Sequence, residues 1–557
     1  MSNFICRFIQ WGLLVSLILF VFACGSSQDR NFNDLKNAFI SWYLKTHPVK
    51  TEDIFYRDQF FYWKDFSAEG AEEYLNDIRR FAIELSQIDR SYIQQKSRLD
   101  YDLLVLELKK IAHELEDVKK QDWDVSEFIL YLHDGLKLLA NDCGAMTSRE
   151  EKILKNRLNG LKKVVNSRLE RYKPAHLYKF ELANKHLQHL TEDLSSFWES
   201  CQSDSILYER WKTSTEHVQE SLDQIGSFIE LNKNNEEPPF DFQAWKKGVE
   251  ISLGDGFEYS YSIDWYKQKI QLIHEDMLRV SLPVFLMHHD EPVWVSYQDT
   301  LNVIKSVLNQ GKSNTVNIKE LAELTRNWIS SLKDFYTNNN LFPEMKFKSP
   351  TFRTSHHYAD YTVEFNPRFG NPGTSNYYLP ALTDSNIFIN EHEQFFKTLS
   401  KIYPGDLFLL NQSRVKSRLQ KLFYDDAFLF GWVLYCEKLL IENGYFKTQT
   451  GTHLYALKKQ ILLLMKIIIQ QAILDNHENI DELLSLFDKW SFGEFSLINN
   501  AEFEFISAAG YLTYLELLDF KNKIINQKNN QENLIEFHKQ LIESGAVNIT
   551  IKQIDIN

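Results

Sequence analysis

Residues that break helices are rare in this chain. It has 20 glycines and 12 prolines among 557 residues, and leucine, isoleucine, lysine and glutamate form long helices where no breaker interrupts them. Between about residues 97 and 120, apolar side chains recur at steps of four and three, at Leu104, Leu108, Ile111 and Leu115. This spacing is typical of an amphipathic helix. The sequence therefore predicts a mainly α-helical protein.

One break divides the helical pattern. Periodic stretches run over residues 148–232 and 243–336, and between them lies a polar segment that ends in Pro238 and Pro239. A chain of this length usually divides into more than one lobe. We therefore predict an N-terminal helical lobe over residues 46–235 and a C-terminal helical lobe over residues 236–557.

One region of the C-terminal lobe differs in composition from the helical stretches. Prolines and glycines cluster between about residues 340 and 390. Three short segments rich in aromatic and β-branched residues (361–365, 377–379 and 387–389) are typical of strands. We expect a small antiparallel sheet over about residues 350–390. Further on, Ile461–Ile469 is apolar except for Lys466, which predicts a buried helix too short to cross a membrane.

The N-terminus has the features of an export signal. Arg7 precedes an apolar run that ends in Val21-Phe22-Ala23-Cys24. A positive start, a short apolar core and a small residue at the cut are typical of a signal peptide. A cysteine directly after the cut marks lipidation, so we predict a signal over residues 1–23 and a lipidated N-terminus and tether over residues 24–45. The expected location is the outer membrane of a Gram-negative bacterium, and the membrane is the expected partner.

Charge and cysteine content narrow the class of protein. Loss of Arg7 with the signal takes the net charge from −14 to −15, and an acidic chain is a poor binder of nucleic acid. Three cysteines remain after removal of the signal and lipidation of Cys24, namely Cys143, Cys201 and Cys436. Their number and wide spacing allow at most one disulfide, and we expect free buried thiols.

Ordered motifs in the C-terminal half resemble a known family. Asn386-Ile387-Phe388-Ile389-Asn390 is followed by Ser400-Lys401-Ile402-Tyr403-Pro404-Gly405-Asp406 and then by Phe430-Gly431-Trp432-Val433-Leu434-Tyr435-Cys436-Glu437. The segments Leu99–Leu104 and Phe537–Gly545 agree with the same pattern near the two ends. Together they resemble the DUF885 family, whose members are similar to gluzincin metallopeptidases. The resemblance implies two helical lobes around a deep cleft.

The resemblance also implies where a zinc ion would bind. The family pattern has His-Glu-x-x-Pro-Gly-His and then Glu-Gly-Trp, which supplies three zinc ligands and a general base. In this chain the first histidine position is Ser400, the base position is Lys401, the second histidine position is Asp406 and the third-ligand position is Phe430. We therefore expect that zinc is lost, that no cofactor is bound and that no catalytic residue is retained.

The scaffold positions of the motif are kept in this chain. They are Tyr403, Pro404, Gly405, Gly431, Trp432, Tyr435 and Glu437. One hypothesis is that Lys401 replaces the lost metal charge by pairing with Asp406 or Glu437. The alternative, which we favour, is that Lys401 points to solvent.

Other polar residues could line the predicted cleft. Arg353, His356 and His357 precede the strands, with Asp360 close behind, and Lys466 lies where the family carries an arginine. A second cluster, residues 288–291 (His-His-Asp-Glu), lies in a predicted loop. His392 and Glu393 form a His-Glu pair without the second histidine of a zinc helix.

Three functions remain open from the sequence. The first, which we favour, is a catalytically inactive, membrane-anchored lipoprotein that keeps a cleft for a peptide or another small ligand. The second is an active metallohydrolase with a rebuilt site, drawn from Asp406, Glu437, His356, His357 and His392. The third is a helical envelope scaffold or glycan-capture lipoprotein.

Overall fold

The computed structural model describes most of the chain from residue 27 onward. The described residues are 27–48, 63–140, 144, 146–173, 177–232, 240–254, 256–311, 315–355, 376–380, 388–412, 417–475, 480–493, 505–528, 531–548 and 550. Several predictions lie outside them: the export signal, Cys24, Cys143, His356, His357, Asp360 and the strand at 361–365. No helix within the described residues is long and apolar enough to cross a bilayer.

The N-terminal half is built of helices, as predicted. Side-chain caps begin several of them: the Ser67 hydroxyl accepts from Gly70 N, and Thr147 forms a capping box with Glu150. Such caps satisfy amide groups that have no partner within the helix. The helices are α1 (27–46), α2 (Ala68–Ser86), α3 (Gln95–His113), α4 (Val125–Gly135), α5 (Ser148–Leu169), α6 (Leu177–Gln202) and α7 (Ser205–Asn232).

The C-terminal half is also helical. Asp241, Ser262 and Asn390 cap the helices that follow them. The helices are α8 (Phe242–Leu253), α9 (Ile263–Phe285), α10 (Tyr297–Gly311), α11 (Leu321–Asn338), α12 (Glu391–Lys401), α13 (Asp406–Gln412), α14 (Arg418–Leu422), α15 (Asp426–Glu442), α16 (Thr450–Leu474), α17 (Ile480–Trp490), α18 (Ile506–Lys528) and α19 (Gln531–Ser544). Helix α16 contains the apolar run 461–469 and is largely buried, which confirms that prediction.

Two strand pairs interrupt the helices of the described chain. The antiparallel pair joins β1 (Thr315–Asn317) to β4 (Phe388–Asn390), which confirms a small antiparallel sheet. The second pair, β2 (Thr351–Ser355) with β3 (Asn376–Pro380), is parallel. The expectation that the sheet lies wholly within residues 350–390 was therefore wrong. β1 comes from further upstream, and β2 and β3 run in the same direction.

Three large apolar cores hold the described helices together. The largest draws on residues from 118 to 546 and includes Trp432 and most of α16. A second lies within residues 125–229, where α4 to α7 pack on one another. The third joins six buried residues of α1 to α2, α3 and the α14 segment at 419–423. Residues 27–45, expected as part of a tether, are thus helical and pack into a core.

The cysteines depart in part from expectation. Cys436 on α15 is a free, buried thiol, as expected. Cys201 at the end of α6 is disulfide-bonded, so the expectation of free thiols was wrong at this position. The sequence spacing allowed one bridge but could not show which thiols the fold brings together.

Candidate functional site

The two motif segments meet in the largest core. Tyr403, Pro404 and Gly405 form the turn between α12 and α13, and Trp432 lies in the second turn of α15. The Trp432 indole Nε1 donates to the Pro404 carbonyl oxygen at 2.7 Å, and both groups are buried. An indole N–H needs such a partner when its ring is buried. Trp432 and Pro404 therefore join the two segments.

Gly405 and Gly431 allow close approaches within this arrangement. A Cβ on Gly405 would lie 1.8 Å from the Ser400 carbonyl oxygen, so the turn back onto α12 has no room for a side chain. A Cβ on Gly431 would lie 2.8 Å from the Gly510 carbonyl oxygen on α18. The two glycines thus set the spacing around the degenerate motif.

A buried histidine that the sequence reasoning did not select as a site residue completes this scaffold. The His538 ring on α19 accepts from the Tyr435 hydroxyl through Nε2 at 2.6 Å, and its Nδ1–H donates to the Leu341 carbonyl oxygen. In the neutral imidazole, both ring nitrogens therefore have a hydrogen-bond partner. Burial lowers the pKa of His538 to about 3. The signal available in the sequence was the Phe537-His538 ending of the family pattern.

Acid is expected to destabilise the protein through His538. The folded-state pKa of about 3 lies below the ordinary value of 6.5, so below pH 6.5 the unfolded chain takes up a proton that the folded ring does not. This contribution to the free energy of unfolding is complete above pH 6.5. It falls by about 1.4 kcal/mol for each pH unit between pH 6.5 and the folded-state pKa. Urea unfolding at pH 7 and pH 5 measures it. His538→Gln should flatten the pH dependence, whereas His288→Gln, on an exposed loop, should leave it unchanged; equal slopes in all three proteins would contradict this assignment.

The four degenerate positions lie on α12, α13 and α15. Ser400 donates its hydroxyl to the Lys397 carbonyl oxygen at 3.2 Å. Lys401 Nζ lies 2.9 Å from Asp406 Oδ2, with the lysine side chain 52% and the aspartate side chain 19% exposed. The pairing that we considered for Lys401 is therefore present, but near the surface, where an ion pair contributes little to stability.

Phe430 takes the third-ligand position without any donor atom. Its side chain is partly exposed, and its ring packs directly on Gly510 of α18, where an added Cβ would lie 2.5 Å from Phe430 Cδ1. Zinc needs three protein ligands and prefers nitrogen, sulfur or carboxylate oxygen. An ammonium group beside the one remaining carboxylate, and an aromatic ring in place of a ligand, do not fit a zinc ion.

Glu437 has a different lysine partner from the one we considered. Lys459 Nζ on α16 lies 2.6 Å from Glu437 Oε1, and the Glu437 side chain is fully buried. The same ammonium group lies 4.4 Å from the centre of the Phe396 ring. Lys466, seven residues further along α16, is half-buried. Sequence reasoning missed Lys459, because nothing in its local sequence distinguishes it from a surface lysine.

The remaining predicted polar residues are dispersed. His288, His289, Asp290 and Glu291 are exposed after α9, and Arg353 lies on β2. His392 is buried at the start of α12, where its Nδ1 lies 3.2 Å from the Thr452 hydroxyl, and burial lowers its pKa. Across the described residues, no three His, Cys, Asp or Glu side chains are grouped so that they could hold a metal ion.

A separate cavity of about 380 Å³ lies where the three cores meet. Tyr43 and Phe423 come from the third core, Phe128 from the second and Ala427 from the first. This volume is in the range of small-molecule sites. The four degenerate positions are not among its lining residues. Sequence reasoning did not find this cavity, because its walls are far apart along the chain.

Comparisons with known proteins agree with the family that the ordered motif segments indicated. The model of the family described as "Bacterial protein of unknown function (DUF885)" matches residues 57–551. No curated protein matches the sequence. A candidate lipoprotein of unknown function from Shewanella oneidensis has a similar structure, with a TM-score of 0.74, 16% identity and coverage of 94% of this chain and 100% of that chain.

A second solved structure shares the fold. It is a candidate lipoprotein from Colwellia psychrerythraea, with a TM-score of 0.71, 12% identity and coverage of 96% of this chain and 98% of that chain. At these identities the likeness concerns the fold. The family match spans residues 57–551 of 557, and the motif segments around Tyr403 and Trp432 meet in the largest core. The chain therefore belongs to the DUF885 family of bacterial proteins.

Proposed function

We propose that this chain is a lipid-anchored lipoprotein of the cell envelope that binds a ligand and does not hydrolyse it. The observation that carries the proposal is the replacement of the zinc positions. Lys401 and Asp406 form an ion pair there, 2.9 Å apart, and Phe430 packs on α18. Tyr403, Pro404, Gly405, Gly431, Trp432, Tyr435 and Glu437 remain as scaffold around them.

Two features support the envelope location. The predicted export signal ends directly before Cys24, and several acyl chains on that cysteine would hold the protein firmly to a membrane. Cys201 is disulfide-bonded, and disulfides persist in oxidising compartments outside the cytoplasm. Gly25 after Cys24 carries no charge that would favour retention at the inner membrane, so we favour the outer membrane.

Metal analysis tests the loss of catalysis. The mature chain, purified without chelators, is expected to contain far less than one zinc ion per molecule, because the ligand set is missing. It should also leave chromogenic peptide and ester substrates uncleaved. Asp406→Ala, which removes the one carboxylate among the four zinc positions, should change neither result.

The opposite outcome would favour an active metallohydrolase. Stoichiometric zinc that is lost in Asp406→Ala, together with hydrolysis that zinc supports, would overturn the proposal. The matched control is Asp264→Ala, which removes a carboxylate of the same kind from the exposed start of α9, far from the motif in sequence. This control should have no effect on metal content in either case.

A further inference from the structure

Arg168 is a buried cation, and two of its donor atoms have no polar partner among the described residues. It lies near the end of α5, its residue is 2% exposed, and it lines the 380 Å³ cavity. Its Nε and Nη1 atoms are buried and have no hydrogen-bond partner among the residues that the structure describes. Burial lowers the pKa of Arg168 to about 10, so the group is still charged at neutral pH. Burial of a charge whose donors are unpaired is costly.

Aromatic rings surround the guanidinium. Its central carbon lies 5.6 Å from the ring centres of Phe128 and Tyr172 and 5.9 Å from that of Phe66. Rings at such distances offset part of the cost of burying the charge. They are only weak acceptors for the N–H groups of the guanidinium, which bond much more strongly to an oxygen acceptor. The side chain is thus held in place while these two nitrogen atoms lack an oxygen acceptor in the described part of the chain.

Two other charged groups at the cavity, Lys110 and Glu127, have ion-pair partners on the protein. Lys110 lies 2.8 Å from Asp425 and 3.4 Å from Glu107. Burial opposes the charge on Lys110, but Asp425 and Glu107 outweigh it and raise the pKa. Glu127 pairs with Lys120 at 3.1 Å. Asp122 and Glu127 favour the charge on Arg168 through space, but within the described residues its Nε and Nη1 atoms have no hydrogen-bond acceptor.

The acids at the cavity limit how much negative charge a ligand can carry. Glu107, Glu114, Asp124, Glu127 and Asp426 line it, against the cations Lys64, Lys110 and Arg168 and the ring of His47. A polyphosphate would meet several of these carboxylates. A single carboxylate would be matched by the planar fork of one arginine. Phe66, Phe128 and Tyr131 supply an apolar wall beside it.

We infer that this cavity binds a small molecule with one carboxylate on an aromatic or apolar body, and that Arg168 holds the carboxylate. The inference rests on the binding role proposed above and names its ligand class and its place. The inference and the proposed loss of catalysis can fail independently. Metal content and hydrolysis report on the degenerate motif, whereas carboxylate binding reports on this cavity.

Ligand-dependent stability tests the inference. Phenylpropionate, its uncharged amide and inorganic phosphate are added in turn, each at about 10 mM, and the thermal midpoint of the full mature chain is followed, because a ligand of the folded state raises it. We expect phenylpropionate alone to raise the midpoint. Arg168→Met should weaken its binding about ten- to a hundredfold, as for loss of hydrogen bonds to a charged group. Without ligand this variant should be at least as stable as the natural chain.

Two further variants separate binding from folding. Arg168→Lys keeps the charge but loses the paired N–H donors of the planar guanidinium. It should fold normally and bind phenylpropionate more weakly. Arg79→Met removes an exposed arginine that pairs with Glu116, and should bind as the natural chain does. No stabilisation by phenylpropionate, or an equal shift in Arg168→Met, would overturn the inference. Equal stabilisation by the amide or by phosphate would overturn the assigned ligand class.

Discussion

Gly405→Ala is expected to lower the free energy of unfolding by about 4 kcal/mol or more. The added methyl carbon would lie 1.8 Å from the Ser400 carbonyl oxygen and 2.3 Å from its carbonyl carbon. Neither atom belongs to a side chain that could rotate away. Relief would require the turn between α12 and α13 to move, and with it the Pro404 carbonyl that Trp432 contacts. Urea unfolding followed by circular dichroism measures the loss.

The matched control is a glycine with room around it. Gly226 lies inside α7, and among the described residues an added Cβ would meet only Leu187 Cδ2 at 3.6 Å, an ordinary contact. Gly226→Ala should therefore be neutral or stabilise the protein by up to about 1 kcal/mol. If Gly405→Ala behaved as Gly226→Ala does, the close turn described for the motif would be incorrect.

Asp100→Ala is expected to cost about 3–5 kcal/mol, as for a buried ion pair that loses one partner. The Asp100 residue is 3% exposed. Its carboxylate lies 3.0 Å from Lys36 Nζ on α1 and accepts from the Ser417 hydroxyl at 2.6 Å and from Gln420 Nε2 at 2.9 Å. The substitution would leave the partly buried Lys36 ammonium without this partner and would loosen α1 and α14 together. Thermal and urea unfolding both measure the change.

Asp102, two residues along the same helix, provides the control. It pairs with Arg90 through two hydrogen bonds of 2.6 and 2.7 Å, but the arginine side chain is 33% exposed. Water can replace much of this contact, so Asp102→Ala should cost about 1 kcal/mol or less. A loss at Asp102 as large as that at Asp100 would show that the segment matters through the helix itself and not through the contacts of Asp100.

The helices could be predicted because their causes are local. Capping residues such as Ser67 and Asn390 and the apolar period of α3 act within a few positions of the chain. The strands were harder, because a strand is stabilised by a partner that the sequence does not indicate. β1 is three residues long and pairs with residues more than seventy positions away. The disulfide of Cys201 was missed for the same reason.

The site could be predicted only where a motif spans it. Trp432 and Pro404 were selected from the family pattern, and the structure places them in contact. The Lys401–Asp406 pair follows from two positions that flank one turn. Lys459 and Arg168 belong to no pattern, and each is made unusual by neighbours from distant helices. Burial of a long cationic side chain is a tertiary property, which periodicity alone cannot show.

If Cys24 is lipidated as proposed, the packing of α1 limits how far the protein could extend from a membrane. Helix is present from residue 27, and Phe32 is fully buried in the third core. A lipid on Cys24 would be separated from the start of that helix by three peptide units, which span at most about 11 Å. The folded protein would then lie at the bilayer surface, held by a very short tether. With that anchor the protein would stay at one membrane surface, so a ligand or partner would have to reach it at the lipid headgroups.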